Sequence, residues 1–133
     1  IARPDQATGQ HPLASILAWS EVGLEPLEMG EGPVHAVRAL LAETSHSVAD
    51  IDLWELNEAF AAQVLCCAQQ LELPHHRLNV AGGGISLGHP IGASGARILV
   101  TLIHQLRQRG GGLGIATLGI GGGIGQAILL EVY

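Results

Sequence analysis

An α/β fold with a mostly parallel sheet is the class this sequence predicts, on three observations. Short apolar runs alternate with helix-period segments in the order β-α-β-α-β-α-β-β, the pattern of strands joined by helical crossovers. Nineteen glycines are too many for a helical bundle and lack the every-third-residue period of collagen. Two apolar runs flank Gly121-Gly122-Gly123 near the C-terminal end, so the last strand is expected to return antiparallel.

The elements follow in order. Residues 1–11 carry Pro, Gly and polar side chains and read as a loose lead-in. The apolar run 12–19 is expected as a buried strand, and 21–32, with Gly23, Pro26, Gly30 and Gly32, as a loop. Pro33 suits a first helical turn, and Val34, Val37, Leu40 and Leu41 share one face of a helix through about Glu43. Ser47 and Asp50 have capping-box spacing. Residues 51–56 form the second strand. Asn57 is placed to cap a helix through about Leu71, with Phe60, Val64, Cys67 and Leu71 inward and Pro74 ending it. Residues 78–80 read as a short strand, 92–108 as the third helix, and 113–118 and 126–132 as the last two strands. The glycines at 121–123 suit either a tight hairpin or an open binding loop.

Composition narrows the function classes. The chain of 133 residues is the size of one domain, 1–133. It is 47% hydrophobic and only 3% aromatic, so its core must be aliphatic. A net charge of −6 argues against a nucleic-acid or anionic-membrane surface, and no apolar run is long enough to span a bilayer. The polar, proline-broken start does not read as a signal peptide. Cys66 and Cys67 are neighbours, which rarely bridge each other; a reducing, cytoplasmic compartment and structural packing fit them. His75 and His76 lack a third ligand, so no metal site is expected. His11, His35, His46 and His104 read as solvated or helix-surface residues.

The segment from Asn79 to Arg97 carries the strongest chemical signal. His89 sits in a turn between a glycine-rich run and a small-residue helix start. Glycines there let backbone approach a ligand where a Cβ would clash. Pro90 fixes φ after the histidine, and Ala93, Ser94 and Gly95 keep the first helical turn thin. The free N–H groups of a helix start favour anions and disfavour imidazolium, which suits His89 to act as a neutral base or a donor. The third helix adds a second signal. Arg97, Thr101, His104, Gln105 and Gln108 form one narrow polar stripe, while apolar residues cover an arc of roughly 200°, where a one-sided helix needs little more than about 100°. That excess points to burial on more than one side.

Three blocks resemble the thiolases, the enzymes that make or cleave 3-ketoacyl-CoA. Gly88-His89-Pro90 is similar to their Gly-His-Pro block, Asn57-Glu58-Ala59-Phe60 to their Asn-Glu-Ala-Phe loop, and Gly119-Ile120-Gly121-Gly122-Gly123 to their Cys-x-Gly-Gly-Gly loop. The resemblance spans about residue 12 to the end and implies the C-terminal half of such a protein. It implies a five-stranded mixed sheet with helices on both faces, stacked in the whole protein against a second half. It further implies acyl transfer between CoA thioesters, with coenzyme A or acyl-CoA as substrate and no permanently bound cofactor. His89 would activate a nucleophilic cysteine of the other half and donate to the thioester oxygen. Asn57 would hold a water as a second donor, and the Gly121 N–H would line an oxyanion hole. Glu58 would hydrogen-bond within its loop, Phe60 would pack in the core, and Ser94 reads as a small helix-start residue, with a catalytic hydroxyl as the other option. The partner covering helix 92–108 would be the missing N-terminal half or a second copy.

One position departs from the pattern. The family cysteine of the last block is Gly119 here, and glycine has no titratable group to take or return a proton. The Asn57–Phe60 loop supplies no cysteine in its place. Two readings stay open: an acyltransferase domain inactive by itself, and a non-catalytic acyl-CoA-binding or structural homologue.

Overall fold

The computed structural model describes residues 1–6, 9 and 11–133; of the expected lead-in, Ala7, Thr8 and Gln10 lie outside the described residues. Among the described residues four strands, β1 (Ala14–Gly23), β2 (Leu53–Leu56), β3 (Gly112–Ile120) and β4 (Ile124–Val132), form one sheet in the order β1-β4-β3-β2. Four α-helices among the described residues accompany them: α1 (Gly32–Thr44), α2 (Ala61–Gln70), the single turn α3 (Gly84–Leu87) and α4 (Ser94–Gln108).

The sheet is mixed, but it is neither mostly parallel nor five-stranded. Among the paired strands of the described residues, β2–β3 is parallel, while β3–β4 and β1–β4 are antiparallel. The apolar patterns located the strands, but they carry no information on which strand pairs with which. β1 extends to Gly23, well into the expected loop, because it zips along the whole of β4. The expected strand at 78–80 shrinks to one parallel bridge, Leu78 against Trp54. Asn79 ends it. Its φ of +47° turns the chain out of extended backbone. Its side chain then takes over the ladder, accepting from Leu56 N and donating to Leu56 O, both at 2.9 Å.

Helices cover both faces, as expected. Alternate residues of each strand point to opposite sides. Trp54, Ile115 and Leu129 share one core with Val34, Val37 and Leu40 of α1 and Cys67 and Ala68 of α2. Leu53, Leu130 and Val132 meet α4 through Ile98, Leu102 and Leu106. The start of α1 lies directly on β4. A Cβ on Gly125 would overlap the Gly32 carbonyl, so backbone touches backbone there. Ser47 and Asp50 form the expected capping box on a 3-10 turn, with Asp50 Oδ2 accepting from both Ser47 N and Oγ at 2.7 Å.

Three side-chain expectations are corrected. Asn57 does not cap α2, which begins at Ala61 with Phe60 at its cap position. That later start turns Phe60 outward, 69% exposed rather than in the core. The two cysteines divide, Cys67 buried under α2 and Cys66 exposed on its outer side. No helix among the described residues is long and apolar enough to cross a membrane.

Candidate active site

The parallel pair β2 and β3 leads into two of the motif blocks, Asn57–Phe60 after β2 and Gly119–Gly123 at the end of β3. In α/β sheets the carboxyl ends of parallel strands are where chains diverge and ligands bind. Asn57 follows β2 directly, and its N–H donates to Thr117 O of β3 at 2.9 Å. The third block starts two residues beyond Thr117. It closes as a tight hairpin, with Gly122 and Gly123 at φ of +91° and +86°, so the open-loop option does not hold. Gly121 stands exposed at its tip.

Glu58 joins the first two blocks. Its carboxylate accepts from Ile85 N and from Asn79 Nδ2, each at 2.9 Å. A Cβ on Gly83 would overlap that carboxylate, and one on Gly84 would lie 2.9 Å from Glu58 O. The glycines at 83 and 84 therefore exist so that the Asn57 loop can lie against the segment leading to His89. Glu58 is thus engaged in hydrogen bonds within the site.

Asn57 is only 2% exposed, and its Oδ1 is buried without a hydrogen-bond partner among the described residues. Buried acceptors without a donor cost free energy, so each calls for an explanation. His89 is exposed, and its Nδ1 lies 2.6 Å from Ser94 Oγ. Ser94 is 2% exposed and also donates to Pro90 O at 3.1 Å. The ring is therefore held at Nδ1.

Gly119 lies on β3, half-buried. A Cβ there would be 2.8 Å from the Met29 carbonyl in the 3-10 segment Pro26–Glu31. The position lacks a thiol, and a backbone oxygen crowds the place of its first atom.

Behind the site, Glu55 of β2 and Arg97 of α4 form an ion pair with N and O 3.4 Å apart. Burial raises the Glu55 carboxyl from 4.5 to about 7; Arg97 pulls it down, and Glu58 pushes it up further. The sequence reading missed this pair, although a lone Glu inside the apolar run Leu53-Trp54-Glu55-Leu56 signals a buried charge that needs a partner. It also gave Asn79 no role and read Ser94 mainly as a small residue. His75 and His76 sit exposed on a 3-10 turn away from these contacts. Among the described residues no group of three or more His, Cys, Asp or Glu is placed to hold a metal.

Comparison with known proteins agrees with this geometry. A family model described as "Thiolase, C-terminal domain" matches residues 10–132. The chain is 50% identical over 120 residues to a cytosolic acetyl-CoA acetyltransferase of Mus musculus, covering 90% of this chain and 30% of the relative. It is 52% identical over 125 residues to an acetyl-CoA acetyltransferase of Escherichia coli strain K12, covering 94% and 32%. The crystal structure of the Bacillus anthracis acetyl-CoA acetyltransferase superposes with a TM-score of 0.94 at 48% identity, over 98% of this chain and 34% of that one. A thiolase from Ascaris suum in complex with coenzyme A superposes at 0.93 with 40% identity, over 99% and 35%. The chain spans about a third of the length of these proteins, and within that third its loops, sheet and helices are those of the thiolase family, to whose C-terminal domain it belongs.

Proposed function

We propose that this chain is the C-terminal domain of an acyltransferase acting on acyl-CoA thioesters, by Claisen condensation or thiolysis, and that it is inactive by itself. The observation that carries this reading is the pairing of a held imidazole with a buried, unpaired amide oxygen on two loops that Glu58 locks together. His89 is the base for a nucleophilic thiol and a donor to the thioester oxygen. Asn57 Oδ1 anchors a water that serves as a second donor there, and the Gly121 N–H lines an oxyanion hole. Acetyl-CoA acetyltransferase relatives and a thiolase crystallised with coenzyme A support the substrate class. The cytosolic mouse relative and the unbridged cysteines support a cytoplasmic setting.

The covering partner is the rest of the thiolase polypeptide. Helix α4 buries Ile98, Leu102 and Leu106 on the sheet yet leaves Val100 55% exposed, and Leu99 and Ile103 half-exposed. Relatives three times as long supply the material for a further layer. Sedimentation of the isolated chain should show association; a concentration-independent monomer would count against a missing layer.

Gly119 favours a second reading, a non-catalytic acyl-CoA-binding or structural homologue. One experiment separates the two. The chain is fused to the first two-thirds of the Escherichia coli relative and assayed for acetoacetyl-CoA thiolysis. The enzyme reading expects turnover that His89→Ala reduces by roughly 10²-fold or more, the usual worth of a positioned acid–base group. A well-folded fusion that binds coenzyme A without turnover establishes the second reading.

A further inference from the structure

We propose that Ser94 is a positioning residue that fixes the tautomer of His89, with the proton on Nδ1 and the lone pair on Nε2. The proposal rests on the reading of His89 as the base of the site and assigns the group that prepares it.

The argument is a count of protons in a closed network. Ser94 Oγ lies 2.6 Å from His89 Nδ1 and 3.1 Å from Pro90 O. A hydroxyl has one proton and two lone pairs, and a backbone carbonyl only accepts. Two arrangements are open. If the Ser94 proton goes to Nδ1, the hydroxyl oxygen receives no donor and faces the Pro90 oxygen lone pair to lone pair. If it goes to Pro90 O, the ring must supply the other proton, and both contacts become hydrogen bonds. Ser94 is 2% exposed, so water does not make up the missing donor in the first case. The second arrangement pairs the hydroxyl both as donor and as acceptor, and buried polar groups are nearly always hydrogen-bonded. The hydrogen bond made by one ring nitrogen sets the state of the other.

The choice of a hydroxyl has a chemical consequence. A carboxylate beside Nδ1 would also fix the tautomer, but its charge would favour imidazolium over the neutral base. Ser94 orients the ring without adding an anion. A thiol brought to Nε2 then gives its proton to that lone pair, leaving a thiolate and an imidazolium. Its Nδ1–H remains bonded to Ser94, so nothing has to rearrange during the transfer.

The test is ring-nitrogen NMR on the isotope-labelled chain at alkaline pH. His89 is assigned by the signals lost in His89→Gln. The expected result is a protonated Nδ1 and a bare Nε2 in the wild type. Ser94→Ala should shift His89 toward the tautomer mixture of the exposed His75 and His76, and Ser94→Thr should restore the wild-type pattern. A wild-type ring protonated at Nε2 overturns the proposal whatever the variants do. So does a folded Ser94→Ala chain with an unchanged His89 pattern. Neither readout depends on turnover, so a fusion with the expected tautomer and no thiolysis would overturn the functional reading alone.

Discussion

Replacing Glu55 by Gln should flatten the dependence of stability on pH between about pH 5 and pH 8. Burial outweighs the attraction of Arg97 and holds the folded carboxyl at about 7, against 4.5 for the free group. The folded state therefore binds this proton more tightly than the unfolded chain does. A raised carboxyl pKa makes stability greatest below 4.5, with a progressive loss as pH rises through 7. The gap between the two values is worth about 3 kcal/mol at 1.36 kcal/mol per pH unit. Glu55 is 2% exposed, so solvent screening takes little from this figure. The assay is urea unfolding of wild type and Glu55→Gln at both pH values. Wild type should lose about 2.5 kcal/mol more than the variant on going from the lower pH to the higher, the rest of the gap lying below pH 5. Contributions common to the two proteins cancel in the difference between them. Asp50 does not interfere, because its hydrogen bonds from Ser47 lower its pKa below 3.8. Equal slopes for the two proteins, or a wild type that gains stability toward alkaline pH, would refute the reasoning.

Three further outcomes are expected. Asn79→Ala removes two bonds to the Leu56 backbone and one to Glu58, and should cost about 2–4 kcal/mol in urea unfolding, at 1–3 kcal/mol for each buried group left unpaired; a cost below about 0.5 kcal/mol would mean the ladder re-forms without it. With a thiol reagent at neutral pH, Cys66 should react at once, while Cys67, buried and with its thiol pushed up chiefly by burial, should wait for denaturant; two equal native rates would contradict the burial. In the fusion protein, Gly119→Cys should raise thiolysis by roughly 10²-fold or more if the proton-transfer thiol is what is missing. Gly119→Ala tests the crowding against Met29 O separately, and equal effects of the two substitutions would show that the thiol is irrelevant.

The loops of the candidate site were more legible in the sequence than the sheet was. His89, Asn57 and the glycine hairpin lay in short blocks whose special residues have local causes, and those causes can be read locally. Strand pairing is set between distant segments, so β1 against β4 and the order of the sheet had no local mark. The strand at 78–80 failed for the same reason: Asn79 ends it by bonding Leu56, 23 residues back. Phe60 was misplaced because its exposure depends on where α2 starts, a matter of one turn. Glu55 was visible as a charge in an apolar strand, but its partner Arg97 lies 42 residues on.

The bare contact between Gly32 and Gly125 acts as a fulcrum for α1. At that end nothing but backbone separates helix from sheet, so the distance is fixed by atomic radii that no substitution elsewhere can alter. At the other end Leu40 fills the gap with a whole side chain. A larger or smaller residue at Leu40 therefore swings the far end of the helix about a fixed pivot. The pivot is three residues from Met29, whose carbonyl lies over Gly119, so that oxygen moves least. Drift in the core beneath α1 can then proceed across generations while the roof of the site stays in place.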